Sequence, residues 1–514
     1  MVFSSSVFLL AFLPITLLLY FAIPNRAYRN VLLLLVSLVF YAWGEPVYVG
    51  LMILSIFLNW GLACLLERKR GKAKFILSLD LIANLLILGF FKYEGFLAEN
   101  VNFLLGGDVF PDLDLPLPIG ISFYTLQAVS YVIDVYRKEV PAQRNPLYLG
   151  MYIAMFPQLV AGPIVRYSTI QDQVLNRKEN LRDFCSGVRL FIIGLGKKVL
   201  LANVVAILAA KMLGMGGSEI GAVGAWAGLL AYTFQIFFDF AGYSDMAIGL
   251  GKMFGFQYLR NFNYPYISKS ITEFWRRWHI SLSSFFRDYV YIPLGGSRVP
   301  RPRWIFNLAV VWFLTGFWHG AAWNYILWGL FYLAILLLEK FVWGKALSKL
   351  PALFQHVYAI LVFMFAWLLF WIEDMGDMWT YLQAMFGVFG PTGQSSLWEL
   401  TLWEYWPVFV LCLLASTPLI PWIRAKLVSW VKGDKLKDFL KNDIPNEKYS
   451  ETAALCDYEG YLGDEMLAKA ASRNRVRVFN AVLALADLAL LAVLVLAVCS
   501  IVSGSFNPFI YFRF

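Results

Sequence analysis

Apolar runs long enough to cross a lipid bilayer recur along most of this 514-residue chain. A spanning helix needs roughly 17 or more mainly apolar residues, and backbone surrounded by lipid must satisfy its hydrogen bonds internally. Hydrophobic residues make up 60% of the chain and charged residues only 15%, whereas soluble domains are about a quarter charged. The pattern therefore predicts an all-α polytopic membrane protein.

The apolar runs predict about eleven to thirteen transmembrane or re-entrant helices. Pro157, Gly162 and Pro163 interrupt one of them, which we expect to be re-entrant. No small-residue cleavage site in polar sequence follows the first run, so we interpret it as a spanning helix and not as a removed signal peptide. The predicted segments are residues 7–23, 31–43, 47–66, 75–91, 117–136, 148–165, 184–213, 220–254, 305–318, 322–338, 357–371, 406–423 and 478–502.

Loop charges predict the orientation of the chain. Basic loops alternate with acidic or neutral ones, and the positive-inside rule then places the N-terminus outside. The net charge of +9 fits cytoplasmic loops that face anionic lipid, and a basic face could also receive an acidic substrate such as a nucleotide-containing thioester. The basic loops are residues 26–29, 68–74, 137–144 and 177–182, and the others are residues 44–46, 94–114 and 373–377.

Two polar stretches are predicted to lie on the cytoplasmic side of a single membrane domain, residues 1–514. Residues 255–303 are rich in Arg, Lys and aromatic residues and predict an amphipathic or re-entrant segment. Residues 424–477 predict a cytoplasmic helical insertion. The cysteines are scattered without a CxxC pair, so the sequence predicts neither a disulfide framework nor a metal site. They are Cys64, Cys185, Cys412, Cys456 and Cys499.

The histidines are the sharpest candidates for chemistry. His319 follows Trp318 between two apolar runs, at membrane depth, where an ionisable group usually faces a cavity or the bundle interior. A structural histidine that is hydrogen-bonded across helices is the alternative. His279, about forty residues earlier, has the same Trp-His context, which favours function, because imidazole can take a proton from a hydroxyl near neutral pH. His356 is interpreted as an ordinary interface residue.

Small residues flank the deeper histidine. Gly316 and Gly320 leave room for a neighbouring backbone or for a substrate chain.

Carboxylates in apolar sequence form a second group of candidates. Asp134, Asp239 and Asp245 could handle protons or orient a histidine. Each of them could instead pair with a buried Arg or with Tyr and Ser hydroxyls.

Arginines near the second histidine form a third group. Arg276, Arg277 and Arg287 could bind the phosphates of a coenzyme A-like or phosphopantetheine donor, or they could snorkel at the interface. The sequence has no Gly-rich phosphate loop, no HExxH and no GxSxG, which argues against an ATPase, a zinc protease and a serine hydrolase.

Several motifs together resemble the membrane-bound O-acyltransferase (MBOAT) superfamily. They are the run RRWHISLSSFFRDYVYIPLGG at residues 276–296, the Trp318-His319-Gly320 segment, and residues 238–245. The opening residues 1–5, the stretch 156–164 and the closing residues 507–512 are similar to the branch that O-acetylates alginate. The resemblance covers nearly the whole chain.

The resemblance implies a ring of helices around a thinned centre, in which cytoplasmic and extracytoplasmic funnels meet near His319. His319 would be the catalytic base or an acyl relay, and His279 would match the second polar position of the family. The other residues expected to bind or orient the donor are Arg276, Arg277, Asp288, Asp239, Asp245, Trp318 and Asn324.

The resemblance also implies the substrates and the partner. The donor would be acetyl-CoA or an acyl-carrier thioester, with no bound cofactor. The acceptor would be a polysaccharide, reached through an extracytoplasmic SGNH-type partner of the AlgJ/AlgX kind, at the plasma membrane of a bacterium. D-alanyl transfer to teichoic acid, transfer to peptidoglycan or cellulose, and a polymer or small-molecule transporter remain the alternatives.

Overall fold

The structure is a computed structural model of the chain and describes residues 1–111, 113, 115–389, 395–432 and 473–504. These residues form helices and no strands, so the all-α prediction is confirmed. Residues 433–472 of the predicted insertion, and the closing residues 507–512, lie outside the described part of the chain.

The described residues of the N-terminal half form eleven α-helices, of which α11 is the longest. They are α1 Leu13–Ala22, α2 Arg26–Ala42, α3 Val49–Arg68, α4 Ala73–Leu105, α5 Ile121–Arg137, α6 Pro146–Ala154, α7 Phe156–Leu159, α8 Tyr167–Asn176, α9 Leu181–Gly196, α10 Asn203–Leu213 and α11 Gly217–Met253. The break between α6 and α7, at Met155, lies in the segment that its Pro and Gly residues predict to be interrupted.

The described C-terminal half begins with two short helices in the amphipathic segment 255–303. Its helices are α12 Ile271–Arg277, α13 Ile280–Phe286, α14 Arg301–His319, α15 Trp323–Leu338, α16 Gly344–Leu347, α17 Ala352–Trp371, α18 Met375–Met385, α19 Ser395–Ala415, α20 Leu419–Lys432 and α21 Arg473–Val502. Wider π turns extend several helices, at Phe8–Phe12, Lys197–Ala202, Arg287–Tyr291 and Glu339–Trp343, and 3₁₀ turns lie at Arg70–Lys72 and Pro265–Ile267.

Seven helical stretches in the described residues are long and apolar enough to cross a membrane, or eight if the pair Leu402–Ala415 and Leu419–Leu427, bent by 56°, is one span. Phe8–Ala22, α2 and α5 coincide with predicted segments but have fewer than 18 residues. The sequence prediction of about eleven to thirteen segments exceeds the number of long apolar helices because it also counts short and re-entrant segments. The seven stretches are Val49–Arg68, Arg70–Leu105, Leu181–Leu213, Gly217–Met253, Trp323–Leu347, Ala352–Trp371 and Arg477–Val502.

Two of the predicted cytoplasmic loops meet at one end of the bundle. Glu179 accepts hydrogen bonds from Arg26 and from the hydroxyl of Tyr20, and Arg29 pairs with it at 3.0 Å. Burial alone would raise the pKa of the Glu179 carboxyl, but the bonds from Arg26 and Tyr20 outweigh burial and lower it to about 2. The basic loops 26–29 and 177–182 are therefore one structural unit.

Loops with few basic residues meet at the other end. The N–H of Ile119 donates to Glu45 at 3.4 Å, and the N-terminal ammonium donates to the carbonyl of Phe40 at 3.5 Å. The indole of Trp323 donates to Asn100 at 3.0 Å. We call this end, defined by these residues, the outer end, because the charge pattern predicts that it faces away from the cytoplasm.

The helices α9 and α11 approach each other through glycines. A Cβ atom added at Gly194 would meet the carbonyl of Gly242, and one added at Gly187 would meet the carbonyl of Gly249. The absence of side chains lets the two backbones pack directly. This packing fixes α11, whose Phe240 ring lies 4.6 Å, centroid to centroid, from the ring of His279.

Candidate active site

His319 is the last residue of α14 and forms part of the wall of a cavity. The cavity has a volume of about 160 Å³, and its other walls are residues 117–123, Lys92, Val160 and Trp318. His319 is only 7% exposed. The cavity lies toward the outer end, since residues 117–123 include Ile119, which is bonded to Glu45.

Three aromatic rings hold the imidazole of His319. The ring centroids of Trp318, Trp328 and Phe370 lie 4.9, 5.0 and 5.4 Å from that of His319. Neither nitrogen of the His319 ring has a hydrogen-bond partner in the described part of the chain. Packing alone therefore orients this ring, and its nitrogens remain available to a substrate.

The side chain of Lys92, on α4, binds the C-terminal end of α14. Its ammonium donates to the carbonyls of Trp318 at 2.6 Å and His319 at 3.3 Å, and to the hydroxyl of Ser122 at 3.3 Å. The last carbonyls of a helix carry partial negative charge, so a lysine stabilises them. Lys92 thus fixes the helix end that carries His319.

His279 joins α12 to α13 and is held by hydrogen bonds. Its Nδ1 lies 3.2 Å from Oδ1 of Asn261, and that oxygen also accepts the backbone N–H and the hydroxyl of Ser281, at 3.1 and 2.9 Å. The backbone donor identifies the Asn261 atom as oxygen, so Nδ1 of His279 carries the proton. The Nε2 atom is then unprotonated, and it is buried without a partner.

The backbone at His279 has an unusual conformation for a residue with a side chain. Its φ is 45° and its ψ is 54°, in the left-handed region. Two backbone bonds to the neighbouring loop hold this conformation: Ile280 donates to the carbonyl of Asn261, and Asn263 donates to the carbonyl of Arg277, each at 2.9 Å. Such strain persists where the surroundings over-determine it, typically at functional sites.

The indole of Trp318 contacts both imidazoles. Its centroid lies 6.1 Å from that of His279 and 4.9 Å from that of His319. The two predicted catalytic histidines therefore belong to one site, although they come from separate elements.

Asn324 contacts the site indirectly. Its amide donates to the carbonyl of Phe370 at 3.1 Å, and the ring of Phe370 packs against His319. Asn324 is fully buried. It is placed to position the aromatic wall and does not line the cavity.

The predicted arginines lie away from the cavity. Arg276 is exposed, whereas Arg277 pairs with Glu273 at 2.9 Å and donates to the carbonyl of Asn263 at 3.1 Å. Arg276 is therefore accessible to a phosphate group, and Arg277 already has protein partners.

Asp288 is the centre of a separate basic cluster. It pairs with Arg166 and with Arg287, each at 2.7 Å, and Arg137 donates to its carbonyl at 2.9 Å. Burial alone would raise the pKa of Asp288, but the two guanidinium groups outweigh burial and hold it below its ordinary value. Asp134 joins the same cluster by accepting the hydroxyl of Tyr289 at 2.7 Å.

Asp239 and Asp245 pair with lysines that follow α9. Lys198 pairs with Asp239 at 2.6 Å, with each side chain 2% exposed, and Lys197 pairs with Asp245 at 2.6 Å. Neither aspartate lines the cavity. The contacts tie the π turn Lys197–Ala202 to α11, and the predicted role of these aspartates in orienting the donor stays a prediction.

The remaining residues singled out in the sequence, two glycines and His356, contact other parts of the protein. Gly316 faces the backbone of Tyr325 and Gly320 faces its ring, so both glycines make room for the protein itself. His356 lies near the carbonyl of Ser268, at 3.2 Å.

Two residues of the site, Lys92 and Asn261, were not among the candidates predicted from the sequence. Lys92 directly follows the apolar run 75–91, and an ionisable residue at such a position is a signal of function. Asn261 lies in a polar loop and carries no signal of this kind.

Comparison with known proteins agrees with these features. A family model described as MBOAT, membrane-bound O-acyltransferase family, matches residues 136–383. A probable alginate O-acetylase, AlgI, of Azotobacter vinelandii is 42% identical over 77% of this chain and 80% of its own length. A peptidoglycan O-acetyltransferase of Helicobacter pylori is 36% identical over 76% and 80%. A teichoic acid D-alanyltransferase of Bacillus subtilis is 30% identical over 59% and 79%.

Proposed function

This chain belongs to the membrane-bound O-acyltransferase family, and we propose that it moves an acetyl group from a cytoplasmic thioester to the outer end. There the group serves the O-acetylation of an exopolysaccharide or a cell-wall polymer. The observation that carries the proposal is the buried imidazole of His319, which has no hydrogen-bond partner among the described residues and forms part of a cavity wall. The transporter alternative is not proposed, because the family to which the chain belongs consists of O-acyltransferases.

His319 acts as the general base in this mechanism. Its ring takes the proton of the acceptor hydroxyl while the oxygen attacks the thioester carbonyl carbon. The carbon–sulfur bond then breaks, and the departing sulfur receives the proton from the imidazolium. In the relay form, a ring nitrogen of His319 attacks the thioester carbonyl carbon, and the carbon–sulfur bond breaks to release the thiolate. The acceptor hydroxyl then attacks the acetyl carbon, the carbon–nitrogen bond breaks, and the hydroxyl proton passes to the thiolate.

His279 assists proton transfer. Its Nδ1–H is committed to Asn261, and its buried Nε2 is left as an acceptor. An acceptor cannot donate a hydrogen bond to a thioester carbonyl. The geometry therefore favours proton handling over polarisation of the donor.

The donor is acetyl-CoA or an acyl-carrier thioester that arrives at the basic end, where exposed Arg276 can meet its phosphates. The predicted cytoplasmic funnel would bring the thioester to His319. An extracytoplasmic SGNH-type partner would complete transfer to the polymer, outside the plasma membrane of a bacterium. The names of the alginate and peptidoglycan relatives support this class of acceptor.

The test is turnover of radiolabelled acetyl-CoA by the purified chain, scored for hydrolysis, self-labelling and transfer to oligosaccharides. We expect His319→Ala to reduce transfer by about a hundredfold or more, the usual contribution of a general base. His356→Ala is the matched control, because this histidine lies beside Ser268 and not at the cavity. A folded His319→Ala protein with normal transfer would refute the assignment.

D-alanyl transfer is the second candidate function. The similarity to a teichoic acid D-alanyltransferase favours it. The same assay with a D-alanyl-carrier thioester separates the two, since only one donor should support transfer that depends on His319.

A further inference from the structure

Lys92 is a cation without an acidic partner in the described part of the chain. Its three hydrogen-bond acceptors are two carbonyls and a hydroxyl, and it lines the cavity. A charge removed from bulk water is costly unless a counter-ion compensates it. The carbonyls, the hydroxyl and the face of the Trp318 ring, 5.9 Å from Nζ, solvate the Lys92 amine but supply no counter-charge. An anion in the cavity would supply that charge and favour the protonated amine.

The first turn of α5 forms the wall beside Lys92. This helix has 17 residues and begins after Gly120, whose φ of 76° lets the chain turn sharply into the helix. Ser122 lines the cavity, and its backbone N–H has no acceptor among the described residues. The N–H groups of Ile121, Phe123 and Tyr124 already donate to the carbonyls of Pro118 and Gly120. This helix end therefore offers an anion the N–H of Ser122 and the helix dipole.

His319 supplies an independent sign of a ligand. The residue is 93% buried, with 7% exposed, and its ring has no hydrogen-bond partner in the described residues although the residue lines the cavity. Buried polar groups normally have partners. The nearby carboxylate of Glu45 is bound to the N–H of Ile119 and does not itself line the cavity.

We infer that the cavity is a carboxylate-binding subsite beside the imidazole of His319. Lys92 supplies the counter-charge, and the hydroxyl and backbone N–H of Ser122, in the first turn of α5, donate hydrogen bonds to the anion. The inference rests on the proposed function, because it places the anion where the acceptor hydroxyl must come. The carboxylate has two sources in such a reaction. It is either free acetate, the product of hydrolysis, or a carboxylate borne by the acceptor next to its hydroxyl.

The test measures protection of His319 from carbethoxylation by diethyl pyrocarbonate, read by mass spectrometry on the purified full chain. The probes are acetate, glucuronate and uncharged glucose. We expect both carboxylates to slow modification of His319 and glucose to have no effect. Stronger protection by glucuronate identifies an acceptor-borne carboxylate, and stronger protection by acetate identifies the hydrolysis product.

Variants of Lys92 and Ser122 decide whether these residues bind the anion. In Lys92→Met, half-protection should need about tenfold more carboxylate, because the nearby counter-charge is lost, whereas Lys92→Arg should retain protection. Ser122→Ala provides a milder change if Lys92→Met does not fold. If the His319 ring does not react without ligand, saturation-transfer NMR with the same probes replaces the readout.

Equal protection by glucose, no protection by either carboxylate, or full protection in folded Lys92→Met would overturn the inference. The readout involves no turnover, so these results leave the acyl-transfer proposal to its own assay. A protein that binds carboxylates but does not transfer acetyl would contradict the proposed function alone.

Discussion

The two buried imidazoles of the site are held by different means. Asn261 fixes the tautomer of His279, and His279 itself has a left-handed backbone conformation. His319 is held by aromatic rings alone, with no hydrogen bond to its nitrogens from the described residues. A ring that must accept and release a proton keeps its nitrogens free, whereas a ring that assists needs a defined tautomer.

Substitution of Asn261 by leucine tests the role of the tautomer. Asn261→Leu leaves Nδ1 of His279 without its acceptor, so we expect kcat to fall roughly ten- to a hundredfold, below the full effect of losing an acid–base group. The KM for acetyl-CoA should change little, since Asn261 does not line the cavity. Steady-state kinetics on detergent-purified protein measure both constants.

Asn261→Asp is the control for that experiment. It retains an oxygen acceptor for Nδ1, and it should preserve more activity than the leucine variant. Equal kcat in wild type and folded Asn261→Leu would show that the tautomer of His279 has no part in turnover.

At the scale of elements, the crossing of α14 and α15 positions His319. A Cβ atom added at Gly316 would meet the carbonyl of Tyr325, and one added at Gly329 would meet the carbonyl of Trp312. The two helices thus pack backbone to backbone beside the reacting ring. The sequence predicts close approach at Gly316, but it does not show which helix approaches.

Gly316→Ala should push α14 and α15 apart. We expect a loss of about 1–3 kcal/mol of stability, the usual cost of overpacking, together with reduced acetyl transfer because His319 lies at the end of α14. Thermal unfolding of the detergent-purified protein, followed by size-exclusion chromatography, measures the stability.

Gly89→Ala is the matched control, because a Cβ atom at Gly89 meets nothing within 4 Å. It should be neutral or slightly stabilising, since alanine favours helix over glycine. Equal melting temperatures for the two variants would contradict the packing argument.

At the scale of the whole molecule, the two ends of the helix bundle differ in charge because loops of similar charge associate with one another. Two basic loops meet around Glu179, and the cavity lies toward the opposite, outer end. Local signals were enough for two features: the length of the apolar runs predicted the helical class, and the Pro and Gly residues from Pro157 to Pro163 predicted the broken segment. The partners of Lys92 and Asn261 could not be predicted, because these contacts join residues 226 and 18 positions apart.

Cysteine labelling tests the orientation. We expect Gly107→Cys to react with a membrane-impermeant maleimide in intact cells, and Gly71→Cys to react only after permeabilisation, because basic loops remain inside. Both glycines have open space around them. The background replaces the five native cysteines with serine, and the reverse labelling pattern would invert the proposed direction of transfer.

The contact of Lys92 with the end of α14 has a mechanical consequence. The helix α4 has 33 residues, which gives it a length of about 50 Å, compared with about 30 Å for the hydrocarbon layer. A second tether, from the hydroxyl of Tyr93 to the carbonyl of Phe317 at 2.7 Å, reinforces the link. A displacement of α4 along its axis would therefore be transmitted by two side chains directly to the backbone at the end of α14, which carries His319.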